Sequence, residues 1–126
     1  MDKQRVIQRL KELNIYHLFS YRPEVKVVPA VLPEGETIEA ATAGISNGKR
    51  WMLVFGKSHA YFIHVHPING THSRKVAYSD LTGYELRKGL IFGKINLELG
   101  KETMKVDNVH RRTIGLIQRV LDTYAG

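Results

Sequence analysis

The sequence contains no cysteine, and this absence removes several kinds of chemistry at once. Without thiols the chain can form no disulfide, no thiolate nucleophile and no cysteine-ligated metal centre. No stretch approaches the ~18 apolar residues of a membrane-spanning helix. The charged start MDKQRVIQRLKEL also lacks the apolar segment of a secretion signal. We therefore expect a cytoplasmic protein.

Acidic residues are in short supply. The chain has 12 Asp and Glu against 19 Lys and Arg, which gives a net charge of +7 at pH 7. The excess is spread along the chain and forms no basic tail. Such a balance favours an acidic protein, an anionic membrane or nucleic acid as partner. The length of 126 residues fits one domain with its own apolar core.

Most of the chain after Glu36 has the pattern of short antiparallel strands. Apolar and polar residues alternate in Lys94–Leu99, which predicts a strand with one buried and one solvated face. Asn47-Gly48 is a strong signal for a two-residue hairpin, and Val76–Leu99 as a whole is typical of a β-meander. We predict seven strands, at about 37–46, 50–55, 59–66, 74–78, 83–87, 90–99 and 102–106.

Helices are predicted at both ends of the chain. Asp2 can cap an N-terminal amphipathic helix that ends near Asn14, and Pro23 can begin a short second helix. A final helix is predicted after a cap at Asp107 or Asn108. Its apolar stripe consists of Ile114, Ile117, Val120, Leu121 and Tyr124. Gly115 within that helix indicates a close approach to a strand. A sheet plugged by this helix would bury both apolar surfaces.

Three stretches resemble the bacterial pleckstrin-homology-like domains, in particular the YokE-like group. They are Leu32–Glu36, Val54–His59, and Val76–Leu81 together with Gly89–Ile95, and the resemblance covers about residues 32–124. It implies an α+β, mainly β fold, in which a bent seven-stranded antiparallel sheet or barrel is capped by the C-terminal helix. It also implies a domain at residues 32–126 that is preceded by an N-terminal helical extension at residues 1–31.

Basic residues near the predicted turns are candidates for binding an anion or an acidic partner. They are Lys49, Arg50, Lys57, Arg87, Lys88, Lys94 and Lys101. The apolar stripe of the first helix needs a cover, which makes Val6, Leu10 and Leu13 candidates for assembly. Residues 1–31 would then either cap the domain or mediate assembly.

The sequence offers little support for catalysis. Four histidines lie close together in sequence, at His59, His64, His66 and His72, but no further ligand of defined spacing accompanies them. No nucleophile elbow or phosphate-binding loop is present. We therefore predict no enzyme activity, no metal, no cofactor and no small-molecule substrate.

These observations favour a binding module that acts through protein contacts. The partner could be a second copy of the chain or an acidic protein, and a phage-encoded inhibitor of a host protein is one form of this hypothesis. The alternative is a weak binder of anionic lipid headgroups or nucleic acid, driven by the basic surface.

Overall fold

The computed structural model describes residues 1–19 and 22–126. In these ranges the chain forms three α-helices and seven β-strands. The helices are α1 (Lys3–Glu12), α2 (Glu24–Val31) and α3 (Arg111–Tyr124). The strands are β1 (Ala40–Ser46), β2 (Lys49–Phe55), β3 (His59–His66), β4 (Gly70–Ala77), β5 (Gly83–Lys88), β6 (Phe92–Leu99) and β7 (Glu102–His110).

The seven strands form one antiparallel sheet in the order β4-β3-β2-β1-β7-β6-β5, which confirms the predicted fold class. The prediction of one continuous meander over residues 76–99 is wrong, because β4 and β5 lie at opposite edges. A 3-10 turn at Tyr78–Asp80 connects them. The buried Tyr78 hydroxyl donates to the Gly56 carbonyl at 2.8 Å and anchors this crossing.

The sheet is strongly bent. Arg74 of β4 donates two hydrogen bonds of 2.7 Å to the carboxylate of Glu102 on β7. In a flat sheet these two strands would lie about 19 Å apart, since three other strands separate them. The side chains can therefore meet only because the sheet curls until β4 approaches β7.

Several local signals in the sequence are confirmed. The Asp2 carboxylate accepts from the backbone N–H of Arg5 at 2.9 Å and caps α1. Asn14 has φ 60°, the left-handed conformation that ends many helices. Asn47 and Gly48 both have positive φ, at 53° and 74°, as a tight hairpin between right-twisted strands requires.

The predicted cap of α3 is wrong by a few residues. β7 continues past Asp107 and Asn108 to His110, because Val109 is drawn into the core with none of its surface exposed. The imidazole of His110 then caps α3 by accepting from the backbone N–H of Arg112 at 3.3 Å.

The α3 helix plugs the inner face of the bent sheet, as predicted. Ile117 and Leu121 have no exposed surface and belong to the same apolar cluster as Leu97. The close approach expected at Gly115 is wrong: a Cβ there would meet only the Arg119 guanidinium, at 3.9 Å. Gly93 of β6 makes the approach instead, since a Cβ on it would lie 2.7 Å from Ile114 Cγ1.

The outer face of β1–β3, which points away from α3, is covered by α1 and α2. Val6 and Leu10 have no exposed surface and pack in a cluster with Met52 and Val54. Leu13 is partly buried against the same cluster. The chain's own strands therefore cover this stripe, and a role of Val6, Leu10 and Leu13 in assembly stays a prediction.

Candidate functional site

The basic residues predicted at the first hairpin do not form one surface. Lys49 begins β2 and Lys57 follows its far end, so the strand separates them by about 20 Å. Lys57 Nζ also lies 4.0 Å from the Glu39 carboxylate. Arg50 is next to Lys49, close to the Asn47-Gly48 turn between β1 and β2.

The second predicted group is brought together in part. Arg87 and Lys94 are directly opposite each other on β5 and β6, and Lys88 follows Arg87 at the end of β5. Lys101 lies apart from them, in the β6–β7 turn at the far end of β6. Carboxylates of Glu85 and Asp107 partly offset the first two cations. The Arg87 Nε lies 2.6 Å from Glu85, and the Lys94 Nζ lies 3.9 Å from Asp107.

The β5–β6 turn presents three consecutive large apolar side chains to solvent. Leu90 is 94% exposed, Ile91 71% and Phe92 51%. We call these three residues the apolar tip. The Gly89 N–H donates to the Phe92 carbonyl at 3.0 Å and closes the turn, so the tip is held in a defined shape. A solvated apolar group of this kind is typical of a surface that meets a partner or a membrane.

Cations surround the base of the apolar tip. We call Arg87, Lys88, Lys94 and Arg111 the basic rim. Arg111 of α3 donates to the Leu90 carbonyl at 3.2 Å, which ties the start of the helix to the tip. Among the described residues, Lys88 and Arg111 form no salt bridge. The rim therefore keeps an excess of positive charge beside the apolar surface.

The sequence pattern does not predict the apolar tip, since it places Leu90 at the start of a strand. A signal was available: Leu90–Phe92 are three adjacent apolar residues between Gly89 and Gly93. If the alternation of Lys94–Leu99 continued back through Leu90–Phe92, only every second residue would face the core. Three adjacent apolar residues could then not all be buried.

Arg50 lies in a different cleft, of about 490 Å³, together with Arg22, Glu24 and His64. Glu24 is only 5% exposed, and burial raises the pKa of its carboxyl group against the opposing effect of Arg22. Burial also lowers the pKa of Arg22, and the charge of Arg50 adds to this effect. The cleft combines both signs of charge, which suits it less well to binding an anion than the rim.

Glu36, in the stretch Leu32–Glu36, stabilises the β2–β3 turn. Its carboxylate accepts from the Tyr61 hydroxyl at 2.7 Å and from the Lys57 N–H at 3.4 Å. Burial and this hydrogen bond raise the pKa of Tyr61. A side chain at Gly56 would collide with the Glu36 carboxylate. The Leu32–Glu36 stretch therefore fixes the β2–β3 turn.

The histidines do not assemble into a metal site in the described parts of the chain. His64 and His72 are stacked across β3 and β4 with ring centroids 6.2 Å apart. His64 Nδ1 lies 2.7 Å from the Arg50 carbonyl oxygen. In residues 1–19 and 22–126 no group of three or more His, Asp or Glu is placed to hold a metal ion.

The bent sheet and its helical plug define a pleckstrin-homology-like fold, and known structures share it. A pleckstrin homology domain from Shewanella amazonensis SB2B has a TM-score of 0.54 and 14% identity, covering 83% of this chain and 96% of that one. A DUF1696 family protein with a pleckstrin-homology domain from Shewanella loihica PV-4 also has a TM-score of 0.54 and 14% identity, covering 100% and 95%. The hSac2 domain from human phosphoinositide phosphatase Sac2 has a TM-score of 0.50 and 15% identity, covering 90% and 79%.

The sequence assigns the family. Residues 32–122 match the model of the Bacterial PH domain family, and the chain belongs to that family. No curated protein matches the sequence. None of the helices in the described residues has the length and apolar character needed to cross a bilayer.

Proposed function

We propose that this bacterial PH domain is a non-catalytic binding module that docks on anionic membrane surfaces through the apolar tip and the basic rim. The observation that supports the proposal is the exposure of Leu90, Ile91 and Phe92 directly beside Arg87, Lys88, Lys94 and Arg111. The tip would enter the headgroup region, and the rim would face lipid phosphates. An anionic cytoplasmic leaflet fits the predicted cytoplasmic location.

Two kinds of attraction combine at this surface. Burying a Leu, Ile or Phe side chain contributes about 1.5–3 kcal/mol, and each Lys or Arg near an anionic bilayer contributes about 1 kcal/mol. One apolar anchor alone gives marginal and reversible binding, whereas an anchor with a basic patch is stable enough for docking. The tip and rim supply both.

The hypothesis of contacts between copies of the chain loses its first argument, since the strands cover the α1 stripe. An acidic protein partner, a phage-encoded inhibitor and membership of the YokE-like group stay predictions.

Nucleic acid is a weaker candidate, because Trp51, Phe55 and Phe62 pack in or against the inner core and offer no stacking surface.

Vesicle cosedimentation tests the proposal. The wild-type chain should bind vesicles of phosphatidylcholine with phosphatidylglycerol and leave vesicles of phosphatidylcholine alone in solution. Binding should fall steeply as the salt concentration is raised from about 50 to about 300 mM. At ~0.1 M salt the Debye length is only ~10 Å, so added salt screens the attraction between the rim and the lipid phosphates. The double variant Leu90→Ser/Ile91→Ser should lose most of the binding.

Ile68→Ser is the matched control. Ile68 is 87% exposed and lies in the β3–β4 turn, whereas the apolar tip lies in the β5–β6 turn. It removes an equally exposed apolar side chain away from the rim. If Ile68→Ser weakens binding as much as the tip variant, docking is not specific to the tip. If the wild type binds neither vesicle and instead binds DNA or an acidic protein, the proposal is wrong.

A further inference from the structure

A second cleft opens beside the basic rim, between the end of α1 and one face of α3. It has a volume of about 370 Å³, within the usual range for small-ligand sites. Its apolar side is formed by Leu13 and Ile15. Its basic side is formed by Lys88, Arg112 and Arg119, so we call it the arginine cleft.

All the charged side chains that line the arginine cleft are positive. No carboxylate is among its lining residues in the described chain. Its three cations also form no salt bridge there, whereas Arg9, Arg74 and Arg87 each do. The guanidinium of Arg112 lies 3.4 Å from Nε2 of His17. An imidazole ring carries no negative charge, so this contact leaves the positive charge of Arg112 uncompensated.

Gly115 forms the floor of the cleft between Arg112 and Arg119. These three positions lie on one face of α3, since they are three and four residues apart. Glycine is a poor helix former, and packing does not explain it here, because the Arg119 guanidinium is the only neighbour a Cβ would meet. The absent side chain leaves an open space with a guanidinium on either side of it.

The cleft adjoins the surface proposed for membrane docking. Lys88 belongs to both the cleft and the rim, and it is followed directly by Gly89 and the apolar tip. A planar guanidinium binds the oxygens of a phosphate through paired hydrogen bonds. With two arginines and a lysine around one open space, the cleft suits a phosphate group better than a single carboxylate.

We infer that the arginine cleft binds the phosphate of an anionic lipid headgroup while the tip is in the bilayer. This inference rests on the proposed function and deepens it, because it assigns a specific headgroup contact to a site separate from the tip. The same chemistry would accept a free phosphate ester, so the experiment must separate the two sources.

Gly115→Glu tests the cleft with little risk to the fold. The new carboxylate would lie between Arg112 and Arg119 at favourable helical spacing, and it would replace a glycine in a helix. We expect the affinity for inorganic phosphate and glycerol 3-phosphate, measured from amide chemical shifts around residue 115, to fall about tenfold. Gly115→Gln, of equal size but neutral, fills the same open space without adding charge, so it should weaken binding by less than Gly115→Glu, and the difference between the two variants measures the effect of charge.

Vesicles then separate the sources. With a lipid headgroup as ligand, Gly115→Glu should weaken binding to phosphatidylglycerol vesicles several-fold, and by clearly more than Gly115→Gln does. Leu90→Ser/Ile91→Ser should lose vesicle binding yet keep binding to glycerol 3-phosphate, so failure of the tip and failure of the cleft are distinguishable. If neither phosphate compound shifts the cleft amides, or if the Glu and Gln variants behave alike, the inference is overturned. Binding of glycerol 3-phosphate without any effect of Gly115→Glu on vesicles would overturn the headgroup assignment.

Discussion

The two halves of the sheet differ in how many of their faces are covered. In β2 the residues Met52–Phe55 all have no exposed surface, because α3 lies on one side and α1 with α2 on the other. In β6 the side chains of Ile95 and Leu97 are buried, while those of Lys94 and Glu98 are exposed. One half is enclosed by helices, and the other is half solvated.

This difference places the candidate binding surface. In the enclosed half, β1–β3, helices cover both faces of the sheet. The half-solvated half, β5–β7, presents the apolar tip and the basic rim on strands that the inner core holds in place. The structure thus separates a supporting half from a presenting half, which share the inner core.

The largest expected effect comes from the inner core. Leu121 has no exposed surface and packs with the sheet, so Leu121→Ala should lower the free energy of unfolding by about 2–5 kcal/mol. Gln118 lies on the outside of α3 and donates to Asp122 at 2.9 Å, and Gln118→Ala should change stability by less than about 0.5 kcal/mol. Urea unfolding of both variants gives the comparison. Equal and small shifts would mean that α3 is a peripheral arm.

The outer core should respond more weakly. Val6 has no exposed surface, and Val6→Ala removes two methyl groups from the contact of α1 with the sheet, for about 2 kcal/mol. The exposed Gln8→Ala is the matched control. Light scattering should show the same molecular mass for Val6→Ala and wild type. A change in mass without a change in unfolding would restore the stripe as an assembly surface.

Solvation of one face is what creates alternation, so the half-solvated strands carry the clearest local signal. Lys94–Leu99 alternates cleanly. Asn47-Gly48 marks the β1–β2 hairpin in the enclosed half, because few residues other than Asn and Gly tolerate positive φ. These signals are local, and the structure places them as expected. The C-terminal stripe was predicted for the same reason, although Tyr124 at its end is 40% exposed.

Other features depend on partners distant in sequence. The runs WMLVF and AYFIHV in β2 and β3 do not alternate, and this is the pattern of strands buried on both faces. It could have indicated that α1 covers the sheet. The separation of β4 from β5 has no such local signal, because it is decided by which edges pair across the whole sheet. The arginine cleft likewise joins Lys88 to Arg112 through tertiary packing alone.

The smallest expected effect concerns Glu24, which lies beside the enclosed half. Burial raises the pKa of its carboxyl group above the value in the unfolded chain, about 4.3. The native state therefore binds the proton more tightly than the unfolded state. The associated stability is present below the unfolded pKa and is lost as the pH rises through the folded pKa. At pH 7 the buried carboxylate is a cost, so Glu24→Gln should be more stable than wild type.

The gain should shrink as the pH falls through the unfolded pKa, because Glu24 then becomes protonated in both states and resembles the amide. Urea unfolding of Glu24→Gln and wild type at pH 7, 5.5 and 4 measures this trend, and the exposed Glu34→Gln serves as the control. A loss of stability at pH 7 would mean that Arg22 and Arg50 stabilise the carboxylate by more than its burial costs. The cleft at α2 would then be an ion-paired part of the supporting half, and the enclosed half would owe some of its stability to charge rather than to its two apolar faces alone.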